Sequence, residues 1–179
     1  GYVNGFYYKP RVDYDVLRKY SDGIIGLSAC LGGEVQKKIL NGNLAGAKKA
    51  ALEYKDIFGE ENFFLELQDH GIREQEFVNR ELIKLSKDLD IPLVATNDVH
   101  YLKREDAKVH DVLLCVQTGK TVDEENRMRF PTSEFYLKSY DEMMDLFGYV
   151  REAIDNTVLI GERCNVDIDF DTLHLPRYE

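Results

Sequence analysis

Two metal-binding side-chain types stand two residues apart in Ala95-Thr96-Asn97-Asp98-Val99-His100, directly after the apolar run Ile91-Pro92-Leu93-Val94-Ala95. In extended backbone, residues two apart point to the same side, so Asp98 and His100 face one site together. A carboxylate and a neutral imidazole are good ligands for Zn or Mn. The competing explanation is an Asp that caps the next helix beside an ordinary surface His; on composition alone the two stand level. Cys30 closes a second apolar run, Ile24-Ile25-Gly26-Leu27-Ser28-Ala29. A thiolate there favours Zn over Mg, although a free Cys taken alone is more often a buried apolar side chain. Asp69 and His70 follow a third run, Phe63–Leu67. They read as turn chemistry before Gly71 and a cap for the next helix. Three successive strand ends each presenting ligand types carry more weight together than any one alone.

Other polar residues have plainer readings. His110 lies one helical turn after Asp106, and a surface His–Asp pair is preferred to a supporting role at the site or a phosphate contact. Cys115 and Cys164 fall in helical patterns and read as core. His174, near the end, has no expected catalytic part. Lys120, Arg127, Arg129 and Lys138 form a local basic cluster, and a solvated loop is preferred to a nucleic-acid contact. The chain has no Walker loop and no GxGxxG, GxSxG or HExxH motif.

These residues need elements to position them. Leu44, Ala47, Ala51, Tyr54 and Phe58 predict a helix over 44–58, with Asn43 as N-cap and Gly59 as terminator. Phe77, Leu82, Leu85 and Leu89 make the buried stripe of a helix over 73–89. Val109, Val112, Leu113 and Val116 do so for a helix at about 104–118. The strands Ile24–Ala29, Phe63–Leu67 and Ile91–Ala95 alternate with these helices, the last apolar enough for burial on both faces. That rhythm predicts an α/β fold with a parallel sheet, whose ligand sites lie at the carboxyl ends of the strands. From 119 to 132 the chain is loop-like. Phe135–Leu137 reads as a short strand, Ser139 as the cap of a helix, and 151–163 as a further helix burying Ile154, Val158 and Ile160.

Composition sets the bounds. The chain has 179 residues, 44% hydrophobic and 31% charged, with 23 basic and 33 acidic side chains and a net charge of −10. Such an acidic chain is poorly suited to non-specific DNA binding unless a local basic patch intervenes. Its three cysteines form no CxxC pair, which argues against a disulfide scaffold and fits a reducing cytoplasm. No apolar run approaches the roughly 20 residues that span a bilayer, and no signal peptide is visible. The start at Gly1 is read as a fragment, a processed product or a trimmed chain.

Longer motifs carry a resemblance. Phe6-Tyr7-Tyr8-Lys9-Pro10-Arg11-Val12-Asp13, Leu27-Ser28-Ala29-Cys30-Leu31, Ala95–Leu102, His110–Gly119 and Phe135–Ser139 resemble the bacterial replicative DNA polymerase III alpha subunits, the C-family polymerases. The similarity runs from Gly1 to the Leu175-Pro176-Arg177 end. It implies that 1–118 is the C-terminal part of a PHP (polymerase and histidinol phosphatase) domain, and that 119–179 is a loop and helices leading towards the polymerase palm. The implied fold is a partial (β/α)7 PHP-type barrel with a helical C-terminal extension. The resemblance also implies a cluster of up to three metals, Zn or Mn, at the strand ends. Of its nine ligands this chain matches Cys30, Asp98 and His100. An HxH and the remaining ligands precede Gly1, and the palm aspartates that use Mg lie beyond Glu179. His70 is not among the nine, so His70, Asp69 and His110 are expected only as neighbours of the site.

The implied activity is metal-dependent phosphoester hydrolysis of the proofreading-exonuclease type within a DNA-directed DNA polymerase. The alternative is a PHP module that stabilises the polymerase and docks a proofreading partner without catalysis. A free-standing histidinol-phosphate phosphatase is opposed by the match beyond residue 119. DNA, a sliding clamp and a proofreading subunit are the implied partners, with no membrane. Loss of the preceding strands also predicts an open sheet edge, covered by self-association or by the segment around Phe6–Val12.

Overall fold

A computed structural model describes residues 2–172 and 175; His174 and the Pro176-Arg177 end lie outside the described residues. The framework is an open three-stranded parallel sheet in the order β3-β4-β5, formed by Gly26–Leu27, Phe63–Leu67 and Leu93–Ala95. Gly26 and Leu27 lie opposite Phe63 and Phe64, and Leu65, Glu66 and Leu67 opposite Leu93, Val94 and Ala95. Every residue of β4 and β5 is buried except Glu66, which is half-buried. That is the signature of a parallel sheet covered on both faces, and it confirms the α/β reading.

Helices supply the cover. α2 (Glu34–Leu40) and α3 (Leu44–Phe58) link β3 to β4, and α4 (Arg73–Leu89) links β4 to β5. Asn43 caps α3 by accepting from the Gly46 N–H at 2.9 Å, and Gly59 ends it at φ 92°. The core joins Val35 and Ile39 of α2, Ala47 and Ala51 of α3, Leu65 and Leu67 of β4, and Leu82 of α4. The C-terminal helices α6 (Tyr140–Phe147) and α7 (Arg151–Arg163) add Phe147, Ala153 and Ile154 to it. α6 begins at the expected Ser139 cap, with Glu142 completing a capping box. α7 lies along β5, where the Asn156 side-chain amide donates to the Leu93 carbonyl at 2.8 Å. One carbonyl of β5 is thus satisfied by a side chain instead of another strand. Among the described residues, no helix is long and apolar enough to cross a membrane.

Several expectations change. Only Gly26–Leu27 of the run Ile24–Ala29 joins the ladder. A Cβ at Gly26 would stand 2.7 Å from the Phe58 ring, so a larger residue there would have to displace that ring. The helix placed at 104–118 opens as a 3-10 turn, Arg104–Asp106, before α5 (Ala107–Thr118). Phe135–Leu137 makes one parallel bridge, Tyr101 to Tyr136, and no full strand. β1 (Phe6–Tyr7) and β2 (Lys9–Pro10) pair with each other in an antiparallel ribbon, followed by α1 (Tyr14–Lys19). The ribbon does not join the sheet, and among the described residues β3 pairs with β4 alone.

Four burial expectations also fail. Phe77 is 41% exposed, Val109, Val112, Leu113 and Val116 of α5 are exposed, Val158 is exposed, and Ile160 is only half-buried. Their helical period is correct, but the stripes extend past what the neighbouring elements cover. Cys115 is buried as expected, whereas Cys164 is exposed because it lies past the last turn of α7.

Candidate functional site

Because β3 and β5 run parallel, Cys30 and the Asp98–His100 pair emerge at the same end of the sheet. β4 stands between the two strands, which lie two inter-strand spacings, about 10 Å, apart. Both loops leave their strands through a left-handed residue that is not glycine: Ala29 at φ 67° and Asp98 at φ 43°. Such conformations cost on the order of 1 kcal/mol and persist only where surroundings hold them. Ala29 is held from both sides. Its N–H donates to Glu66 Oε2 at 3.0 Å and its carbonyl accepts from Gln36 Nε2 at 2.8 Å.

Asp98 is held by the residue it is read with. His100 Nδ1–H donates to the Asp98 carbonyl at 2.7 Å, which leaves the Nε2 lone pair as the available ligand atom. The Asp98 carboxylate lies 3.8 Å from His100 Nδ1. Cys30 is exposed, and its Sγ accepts from the Gly32 N–H at 3.4 Å. A thiolate, a carboxylate and an imidazole are the right donor types for Zn. Among the described residues, however, no three His, Cys, Asp or Glu side chains gather closely enough to hold an ion. Asp98 and His100 come together, and Cys30 does not join them around one position.

The side chain that ties this end of the sheet together is Glu66, absent from the sequence-based candidates. Its carboxylate accepts from Ala29 N–H on the β3 side and from Gln68 Nε2, at 2.9 Å, and Thr96 Oγ1 on the β5 side. A single charge inside the apolar run Phe63–Leu67 was the available signal. Ser28 reinforces the link, its hydroxyl accepting from Glu66 N–H at 2.8 Å and from Gln36 Nε2 at 2.7 Å.

His70 is fully buried, and its tautomer is set by its partners. Gln75 Nε2 donates to Nδ1 at 2.8 Å, so Nε2 carries the proton and donates to the Asn97 carbonyl at 2.8 Å. The ring stacks on Phe135 with centroids 3.9 Å apart. Burial pushes its pKa down, and the Lys138 charge does the same more weakly. His70 therefore braces the loop bearing Asp98. Asp69 makes the expected turn, accepting from Gly71 N–H at 2.9 Å, but neither Asp69 nor His70 caps α4, whose N-cap is Ile72 with no side-chain cap.

His110 departs from its reading. The Asp106 carboxylate accepts from Lys103 N–H, and His110 instead lies 5.5 Å from His100 and 4.7 Å from Phe130, ring centre to ring centre. Burial and the neighbouring His100 push its pKa down. The basic cluster is mostly paired. Arg127 grips Asp111 through two 2.6 Å bonds, Lys120 pairs with Glu124, and Lys138 with Glu134.

Residues 1–70 match the PHP domain family. The chain is 47% identical over 179 residues to DNA polymerase III subunit alpha of Borreliella burgdorferi. Along its whole length it resembles a segment of the DNA polymerase III alpha subunit. The same subunit of Treponema pallidum is 46% identical over 178 residues, and that of Deinococcus radiodurans 44% over 171. These alignments cover 99%, 99% and 94% of the chain but only 16%, 15% and 13% of the relatives' lengths. The polymerase III alpha resemblance read from the motifs is borne out.

Proposed function

We propose that the chain forms part of a replicative DNA polymerase, the DNA polymerase III alpha subunit, within its PHP region. Cys30, Asp98 and His100 contribute to a metal-dependent phosphoesterase site of proofreading type that this chain carries incompletely. The observation that supports the reading is end-to-end similarity at 47% identity to such a subunit. The open parallel sheet with intervening helices is consistent with a portion of a (β/α)7 barrel. On this reading 1–118 belongs to the PHP domain and 119–179 leads towards the palm.

Zn or Mn suits the donor types at the strand ends, and Mg suits the palm carboxylates outside the chain. DNA, a sliding clamp and a proofreading subunit are the partners, in the cytoplasm. A second reading, a PHP module that stabilises the polymerase and docks a proofreading partner, draws on the lack of a gathered three-residue ligand set among the described residues.

The test uses the full-length subunit carrying this segment. Asp98→Asn and His100→Ala should lower its bound metal and reduce chelator-sensitive 3′–5′ hydrolysis by about 100-fold or more, with nucleotide incorporation retained. Unchanged hydrolysis together with lost binding of the proofreading subunit would favour the second reading.

A further inference from the structure

One cavity lies beside the strand ends and takes no part in the ligand set. It has a volume of 370 Å³, and its walls include Tyr101, Lys108, His110, Arg129, Phe130 and Thr132. That volume falls in the range of about 300–1,000 Å³ typical of small-molecule sites. Its walls combine two kinds of surface. Phe130 meets His110 edge-on at 4.7 Å, and Tyr101 lies tilted against His110 at 5.4 Å, giving an aromatic lining. The Tyr101 hydroxyl is buried without a hydrogen-bond partner, although the Phe135 backbone is its near neighbour. Burial raises the pKa of this phenol, so it stays a donor.

The local charge is positive inside a chain of net charge −10. Asp111 also lines the cavity, but Arg127 neutralises it through both carboxylate oxygens. Lys108 makes no hydrogen bond or ion pair among the described residues. Arg129 is oriented by Nη2 donating to the Val122 and Glu124 carbonyls at 3.2 and 3.0 Å, which leaves its other N–H groups for a ligand. The Phe130 ring lies 4.6 Å from that of His100, so the cavity borders the candidate site directly.

Aromatic rings beside cations match the chemistry of one nucleotide: a π-face to stack and a phosphate to pair. We propose that this cavity seats a single nucleotide, its base against Phe130 and Tyr101 and its phosphate on Lys108 and Arg129. The ligand is a mononucleotide or the terminal unit of a single strand. Stacking of a base on an aromatic side chain contributes about 1–3 kcal/mol by alanine substitution, and the guanidinium adds charge-assisted hydrogen bonds. With net charge opposing a polyanion, one nucleotide is held in place of an extended track. The inference rests on the phosphoesterase reading only for its setting.

The test is therefore done without metal. The full chain is titrated with dTMP, with inorganic phosphate and with a short oligo-dT in EDTA, followed by amide NMR shifts. Expected are shifts confined to residues near 101, 108–114 and 129–133, with phosphate alone binding at least about tenfold more weakly than dTMP. Lys108→Glu, at an exposed position, should weaken dTMP by about tenfold with an unchanged melting temperature, and Phe130→Leu should weaken it without affecting phosphate. Tighter oligo-dT than dTMP identifies a strand end as the source; equal affinities identify the free nucleotide. Phosphate binding equal to dTMP, shifts elsewhere, or a folded Lys108→Glu chain that binds normally would overturn the proposal. Nucleotide binding without hydrolysis by the full-length subunit would overturn the phosphoesterase reading and leave this one standing.

Discussion

Glu66 accepts hydrogen bonds from both flanking loops and so couples the backbone beside Cys30 to the backbone leading into Asp98. Truncation would leave Ala29 N–H without its acceptor and Gln68 Nε2 with Thr96 Oγ1 alone, at 3.3 Å. Glu66→Ala is therefore expected to cost about 1–3 kcal/mol in urea unfolding, and to speed amide exchange at Ala29. Normal exchange there would mean that the left-handed turn is held by Gln36 alone. His70 makes a different prediction, through protons. Its folded pKa is lowered, first by burial, with the Asn97 carbonyl, Asp98 and Gln75 opposing and Lys138 assisting. An unfolded His titrates near about 6.5, so below that pH the unfolded chain binds more protons than the folded one. Stability is then lost as pH falls through this window. The urea midpoint should drop between about pH 7.5 and 5.5, and His70→Gln should flatten that slope while lowering the midpoint at the upper end. His110 shifts in the same direction and supplies the slope that remains.

Helical stripes in this chain have two fates. Leu82 of α4 and Leu67 of the neighbouring β4 are completely buried in one core. Val116 of α5 is 75% exposed although its spacing from Val109, Val112 and Leu113 is equally regular. Leu67→Ala should destabilise by about 2–5 kcal/mol, through lost transfer energy and an unfilled cavity. Val116→Ala should change stability by no more than about 0.5 kcal/mol. Denaturant midpoints of the two variants check the contrast, and a large loss at Val116 would mean that α5 is covered in solution. Periodicity reports which residues share a face and is silent on whether a neighbour reaches that face.

Across the molecule, Asp98 and His100 come together, but among the described residues no third ligand type joins them. The chain by itself is expected to bind Zn or Mn weakly, with a melting temperature shifting by less than about 2 °C between EDTA and added Zn. A tightly bound stoichiometric ion would mean that residues outside Cys30, Asp98 and His100 complete a site. Residual binding should weaken in acid as the ligands protonate. Nucleotide incorporation by the purified chain is expected to be absent, since the resemblance places the palm carboxylates beyond Glu179; a template-directed extension assay decides this.

The amino-acid order was enough for the α/β rhythm, the span of α3, its Asn43 cap and Gly59 stop, the Ser139 cap and the Phe63–Leu67 strand. Each depends on neighbours within a few residues, where backbone propensity, capping and side-chain period act. Motif order was likewise enough for the polymerase III alpha resemblance. Tertiary structure decided what depends on distant partners. It made Glu66 the link between strand ends, because its donors come from residues 29, 68 and 96. It turned His70 from a turn residue into a buried brace, through Gln75, Asn97 and Phe135. It drew His110 away from Asp106 towards His100 and Phe130. It left the α5 stripe and Cys164 uncovered. Burial and convergence are properties of what packs alongside a segment, and no local pattern encodes which distant segment that will be.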